Sequence, residues 1–356
     1  MKSRIARLAS LLAAVALVAA ACGGDPVPTT TSAASGGDTT PTTAAPADNG
    51  GETTDLGLPV IDPFEVSEGT IGIAGSSTVF PLSTAIMARW EDEGGPNYPI
   101  DSIGSGGGLE RFCVEGASDI ANASRAIKDD EVDACAEIGR EIISVRVGSD
   151  ALSLVISPGN YFAQDLTLEE IATAFSLSDS GATWSDVNPD LPAHPIALFT
   201  PGADSGTFDY FNEIVFEEAE PSPILTSIAQ VVGEDDNLTV QGVAEDGCTE
   251  GDESSTCAIG YFGYAYYQEN ANRLQVVAVD GIEPSDATVN DGTYAISRPL
   301  FMYTAAEVVA EKPQVAEFMA YYLNNVNDVI GEVGYFPAPT ESLQEAADNI
   351  KAAAGW

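Results

Sequence analysis

Three times along this chain a short cluster of Gly, Ser, Thr or Asp stands directly before a run with helical spacing: Gly75-Ser76-Ser77-Thr78, Gly104-Ser105-Gly106-Gly107-Gly108 and Asp204-Ser205-Gly206-Thr207. Apolar, strand-like residues precede each cluster. Strand, tight turn and helix is the repeating unit of α/β folds, so this punctuation confines the chain to that class. TIGIAGS, with Ile71 and Ile73 alternating, reads as a first strand, and Leu82, Ile86 and Trp90 then recur four apart until Gly94-Gly95. A helix is therefore expected directly after Ser76-Ser77. IDSIGSGGG leading into LERFCVEG repeats the unit, and DIANASRAI is a third, shorter element. ISVRVGSDALSLVIS alternates over a span long enough for a strand that leaves one lobe and enters another, with Val145, Val147, Leu152, Leu154 and Ile156 assigned to one face. LTLEEIATAF and DSGTFDYFNEIVFEEA follow as helices around the strand HPIALFT. YAISRPLFMYT reads as a return strand and KPQVAEFMAYYLNN as a long helix on the first lobe. The aromatic run YFGYAYY has the period of a core strand and a helix start. The expected fold is α/β with a discontinuous first lobe.

The N-terminus bears on location. Lys2, Arg4 and Arg7 precede the apolar run from Leu8 to Ala21, which is too short for a permanent membrane helix and fits the core of a signal peptide. Ala19-Ala20-Ala21 before Cys22, with Gly23 and Gly24 after it, resembles the lipobox of bacterial lipoproteins, although Ala19 stands where leucine is usual. Cleavage would leave Cys22 as a lipidated first residue. From there to about residue 66 the chain is Thr, Ala, Gly, Ser and Pro with scattered acids, a composition that cannot bury itself. Such a tether reaches about 35–40 Å. The expected division is 1–21 leader, 22–66 anchored cysteine and tether, 67–153 with 296–356 as lobe one, and 154–295 as lobe two.

The chain has 13 Lys+Arg against 55 Asp+Glu, a net charge of −42, and loss of the three leader cations makes the mature chain more acidic still. Nucleic-acid binding is excluded, because phosphate neutralisation needs basic patches. A small anion remains possible where backbone amides and a buried arginine supply a local field. Apart from Cys22 there are four cysteines, Cys113, Cys135, Cys248 and Cys257, an even number that indicates two disulfides in an exported protein. Of three possible connectivities the sequence-local one, Cys113 with Cys135 and Cys248 with Cys257, is favoured. Their spacing does not suit zinc, and the lone histidine, His194 in LPAHPI, reads as a surface loop residue rather than a metal ligand.

The three junctions share a chemistry. Free N–H groups in the first turn of a helix point along its axis and carry about half a positive charge, which suits an oxyanion. Ser, Thr, Asp and Gly are also ordinary N-cap residues, so it is three such ends in both lobes that point to a site. Arg125 in DIANASRAI is the favoured cation, against the alternative that it pairs at the surface with one of the many acids. Arg298 in SRPLF is the second candidate.

GSSTVFPLSTAIMARW, GSGGGLERFCVEGASDIANASRAI, PGADSGTFDYFNE, IGYFGYAYYQEN and YAISRPLFMYT, in this order, resemble the phosphate-binding component of phosphate ABC transporters, the PstS family. The likeness runs from about Thr70 to the C-terminus. It implies the two-lobed type II periplasmic-binding fold with two crossover strands, closing on HPO₄²⁻ or H₂PO₄⁻. The implied partners are inorganic phosphate and the permease and ATPase of the transporter, with the lipid anchor as membrane contact. No cofactor and no catalysis are expected, and the protein is expected to act as a monomer. By motif, Ser77, Thr78 and Val79 would bind from the first helix end, Ser105 and Gly106 from the second, Ser124 and Arg125 from the third loop, and Ser205, Gly206 and Thr207 from lobe two. Familiar members carry an arginine shortly before SGT and an aspartate near the place of Arg125. Here Pro201 and Arg125 occupy those places, which leaves Asp204 as the nearest carboxylate to accept a proton from the ligand. Rival readings are a binder of sulfate or molybdate, which have no proton to give such an acceptor, an exported phosphoester hydrolase, and a sensor or adhesin on the same fold.

Overall fold

The computed structural model describes residues 53–356 apart from Asp204, Glu218, Glu220 and Glu234. The expected leader, the lipidated Cys22 and the tether up to residue 52 lie outside the described residues. The first lobe opens with β1 (Ile73–Gly75), α1 (Phe80–Asp92), β2 (Ile100–Ser102), α2 (Gly104–Cys113), β3 (Ile120–Ala123) and α3 (Asp129–Glu137), and then β4 (Ile142–Ile156) leaves it. The second holds β5 (Asp165–Leu166), α4 (Leu168–Ser176), α5 (Trp184–Val187), β6 (Ile196–Thr200), α6 (Gly206–Phe216), β7 (Gln230–Val231), α7 (Asp236–Ala244), β8 (Cys257–Gly263), α8 (Tyr264–Asn270), β9 (Gln275–Val276), β10 (Ala278–Val279) and α9 (Asp286–Asn290). The chain returns through β11 (Ser297–Ala305) and ends with α10 (Ala306–Glu311), α11 (Pro313–Val333), β12 (Phe336–Pro337) and α12 (Thr340–Ala354).

The strands follow the order β2-β1-β3-β11-β4-β8-β6-β7. β1 lies parallel between β2 and β3, whereas β11 runs antiparallel to both β3 and β4. β4 changes partner midway: Ile142 to Ala151 pair with β11, and Leu152 to Ile156 pair with β8. It thereby serves two cores. Val145 and Val147 belong to the first, with Trp90, Phe112, Met302, Phe318 and Tyr322, while Leu152, Leu154 and Ile156 belong to the second, with Phe175, Trp184, Phe211 and Tyr261. The five residues are thus shared between two cores. A register shift between Leu300 and Phe301, opposite Val147, changes the parity of the pleat, so that Val145 before it and Leu152, Leu154 and Ile156 after it keep to one face of the strand.

Local patterning explains the helices around the first core. Leu82, Ile86 and Trp90 of α1 have no exposed surface, and the Trp90 indole N–H donates to the Pro96 carbonyl at 3.0 Å. The tether ends earlier than residue 66. Leu58 is fully buried in the first core, Ser67 is held by Glu317, and Asn324 and Gln344 donate to the carbonyls of Pro59 and Leu56. Leu58, with Leu56, Ile61 and Val66 packed beside it on the core and the backbone around them satisfied, orders this strap.

The disulfides join Cys113 to Cys135, tying α2 to α3, and Cys248 to Cys257, closing the loop before β8. His194 is buried, not at the surface. Its Nδ1 lies 3.1 Å from the Ser255 carbonyl oxygen, its Nε2 lies 3.2 Å from the Tyr161 hydroxyl, and its ring stacks on Phe162. The loop LPAHPI packs against the disulfide-closed segment at Ser255, a contact 61 residues away that its proline-flanked loop pattern does not reveal. Among the described residues no helix is long and apolar enough to cross a membrane, and none of their His, Cys, Asp and Glu side chains form a cluster suited to a metal ion.

Candidate anion site

Two of the three junctions converge because their backbones nearly touch. At Gly75, with φ of +143°, a Cβ would lie 2.0 Å from the Asn122 carbonyl oxygen, and a Cβ on Gly108 would lie 2.4 Å from the Gly75 Cα. The start of α2 therefore rests directly on the end of β1. Ser76 closes the turn that leads into α1, its Oγ accepting the N–H groups of Thr78 at 3.2 Å and Val79 at 3.4 Å. The Ser105 Oγ accepts the N–H of Ser124 at 3.1 Å and lies 3.2 Å from the Ser124 hydroxyl, which ties α2 to the loop that carries Arg125. In the second lobe Ser205 caps α6 by accepting the N–H of Thr207 at 3.2 Å. A Cβ added at Gly106 or Gly206 would meet nothing within 4 Å, so both first turns face open space.

That space is a cleft with two connected compartments. The smaller, about 350 Å³, is walled by Ser77, Thr78, Ser105, Gly106, Ser124 and Gly206, with Arg125, Lys128 and Arg298 as cations and Asp209 and Glu213 as acids. The larger, about 580 Å³, shares Ser77, Thr78, Gly206 and Arg298 and adds Ser205, Thr207, Asp150, Tyr266 and Tyr335. Of the residues the sequence points to, Val79 is not on the wall: it is fully buried and its amide is spent on Ser76. Asp204 lies outside the described residues. The YFGYAYY run divides, with Tyr261 and Phe262 in the core and Tyr266 on the cleft.

The two arginines are held differently. Arg125 donates from Nη1 and Nη2 to the Glu131 carboxylate at 2.9 and 2.7 Å, and its side chain is 30 % exposed. This bidentate pair pulls the Glu131 carboxyl below its ordinary range and raises Arg125. Arg298 is only 10 % exposed and lies opposite Asp150 in the β11–β4 register. Its Nε and Nη2 both donate to Asp150 Oδ2 at 3.2 Å, its Nη1 donates to Glu213 at 3.2 Å, and its guanidinium lies 3.5 Å above the Tyr210 ring centroid. Burial pushes the Asp150 carboxyl up, and Arg298 draws it back. Arg298, the second candidate by sequence, is thus the cation set deepest in the cleft, on the strand pair that joins the lobes. The Tyr335 hydroxyl donates to the Thr78 carbonyl at 2.8 Å and steadies the first anion loop from the C-terminal end of α11.

Sequence reasoning missed Lys128, Tyr210, Glu213 and Asp150. Lys128 follows Arg125 by three residues in the same loop. Tyr210 and Glu213 stand four and seven residues after Gly206, the spacing that puts side chains on one helix face, so that signal was present. Asp150 is found only through its strand register. The Tyr210 hydroxyl is buried and has no hydrogen-bond partner among the described residues, and burial raises it well above the usual phenol range.

Residues 34–326 match the family described as PBP superfamily domain. The chain is 36 % identical over 295 residues to protein SphX of Synechocystis, covering 81 % of this chain and 83 % of that one. To the phosphate-binding protein PstS of Staphylococcus saprophyticus it is 29 % identical over 289 residues, covering 80 % and 85 %. Among solved structures, a possible phosphate binding protein from Planctomyces limnophilus aligns with a TM-score of 0.70 and 34 % identity, over 80 % of this chain and 99 % of that one.

Proposed function

The chain belongs to the PBP superfamily, and on that premise we propose that it is an extracytoplasmic binding protein of the PstS kind that takes up inorganic phosphate between its lobes. It delivers the anion to the permease and ATPase of an ABC transporter, and lipidated Cys22 holds it at the membrane. The observation that carries this reading is the smaller compartment, where first-turn residues of α2 and α6, the loop before α1 and three cations face one space. Hydroxyls of Ser77, Thr78, Ser105 and Ser124 donate to phosphate oxygens, and the helix ends and Arg298 supply positive potential that the net charge of the chain does not. The wall carboxylate Asp209 accepts the ligand's O–H, whereas sulfate at neutral pH meets it only as a like charge.

Thermal unfolding with phosphate, arsenate, sulfate and molybdate added in turn tests the proposal. A ligand that binds only the folded state stabilises it by about 4 kcal/mol at a thousandfold excess over Kd. Phosphate and arsenate are expected to raise the Tm alike, and sulfate far less. An equal or larger shift with sulfate or molybdate would end the phosphate reading.

A further inference from the structure

Three carboxylates neutralise the two cleft arginines, and they are held in different ways. Glu131 is locked: besides pairing with Arg125 it accepts the Lys128 N–H at 2.8 Å as the third residue of α3. Asp150 is locked too, buried beside Arg298 in the strand register and accepting the N–H of Ala151. Glu213 differs on every count. Its side chain is 44 % exposed, it lines the smaller compartment, and it meets Arg298 through one contact at 3.2 Å. Arg298 cannot follow it if it leaves, because Asp150 and the Tyr210 ring fix the guanidinium from two other sides.

We infer that Glu213 is an internal stand-in for the ligand, a carboxylate that occupies the cleft-facing N–H of Arg298 until an incoming anion displaces it, and so sets the affinity of the site. The inference rests on the phosphate reading and deepens it. A half-exposed single-contact ion pair is weak, so its loss costs little, and the departing carboxylate returns to water. Phosphate, held also by the hydroxyls and helix ends, presents more charge and more acceptors to the same guanidinium than Glu213 does. The freed carboxylate stays near a bound anion of its own sign, which keeps affinity below what the rest of the cleft allows.

Calorimetric titration of phosphate into the wild-type chain and the Glu213→Gln and Glu213→Asp variants tests this, with unfolding in the absence of phosphate as the check on folding. Glu213→Gln is expected to bind phosphate about tenfold more tightly, a change of about 1.4 kcal/mol. Glu213→Asp keeps the charge but shortens the reach, and is also expected to tighten binding, by less. A tightening in the Gln variant alone would mean that Glu213 acts through space and is not displaced, which overturns the inference. So would Gln affinity equal to or weaker than that of a wild type that binds phosphate. A wild type that does not bind phosphate would instead sink the reading beneath it.

Discussion

At the scale of single residues the account turns on Arg298 rather than Arg125. Arg298 holds a buried carboxylate, so Arg298→Ala leaves Asp150 without its cation and is expected to cost about 3–5 kcal/mol of folding free energy in urea unfolding. Phosphate binding should fall with it, and Arg298→Lys, which keeps the charge without the planar fork, should recover part of both. Arg125→Ala is expected to weaken phosphate binding by about 1.5–3 kcal/mol while changing folding less, because its partner Glu131 lies nearer solvent. Unchanged stability in Arg298→Ala would contradict the buried pair. The sequence carried both arginines as candidates and favoured Arg125, while the structure buries Arg298 the more deeply of the two. DIANASRAI announces Arg125 through its small, loop-forming neighbours, whereas the importance of Arg298 comes from Asp150, which lies 148 positions away and meets it only through strand pairing. Serines and glycines at the helix starts were legible because capping chemistry is local. Val79 was the exception, since Ser76 takes its amide.

At the scale of elements, glycines in the first turns of α2 separate packing from binding. Gly108 lies against β1 with no room for a methyl group, so Gly108→Ala is expected to destabilise the chain by about 1–3 kcal/mol. Gly106 faces the open compartment, and Gly106→Ala should leave folding unchanged or improve it by up to about 1 kcal/mol through helix propensity, while its methyl group crowds the anion and weakens binding. Paired urea unfolding and phosphate titration check both, and a Gly106→Ala variant with wild-type affinity would remove the start of α2 from the site. Elements with strong periodicity were readable from sequence: α1 through Leu82, Ile86 and Trp90, and β4 through its length. The bulge at Val147 was not, because it is set by the partner strand. His194 and the strap around Leu58 escaped for a related reason, since loop and linker-like segments become ordered through contacts distant in sequence.

At the scale of the whole molecule, the cleft has to attract an anion inside a chain of net charge −42. Long-range steering therefore opposes the ligand, and affinity has to come from groups a few ångströms away: helix ends, hydroxyls and the three wall cations. This arrangement predicts where the ligand sits as well as whether it binds. The most direct test is anomalous diffraction from crystals grown with arsenate, a phosphate isostere whose arsenic can be located on its own. A single peak in the smaller compartment, within hydrogen-bonding reach of Thr78, Ser105 and Arg298 and competed away by phosphate, is the predicted result. A peak outside the cleft, or one that sulfate displaces as readily as phosphate does, would contradict the account.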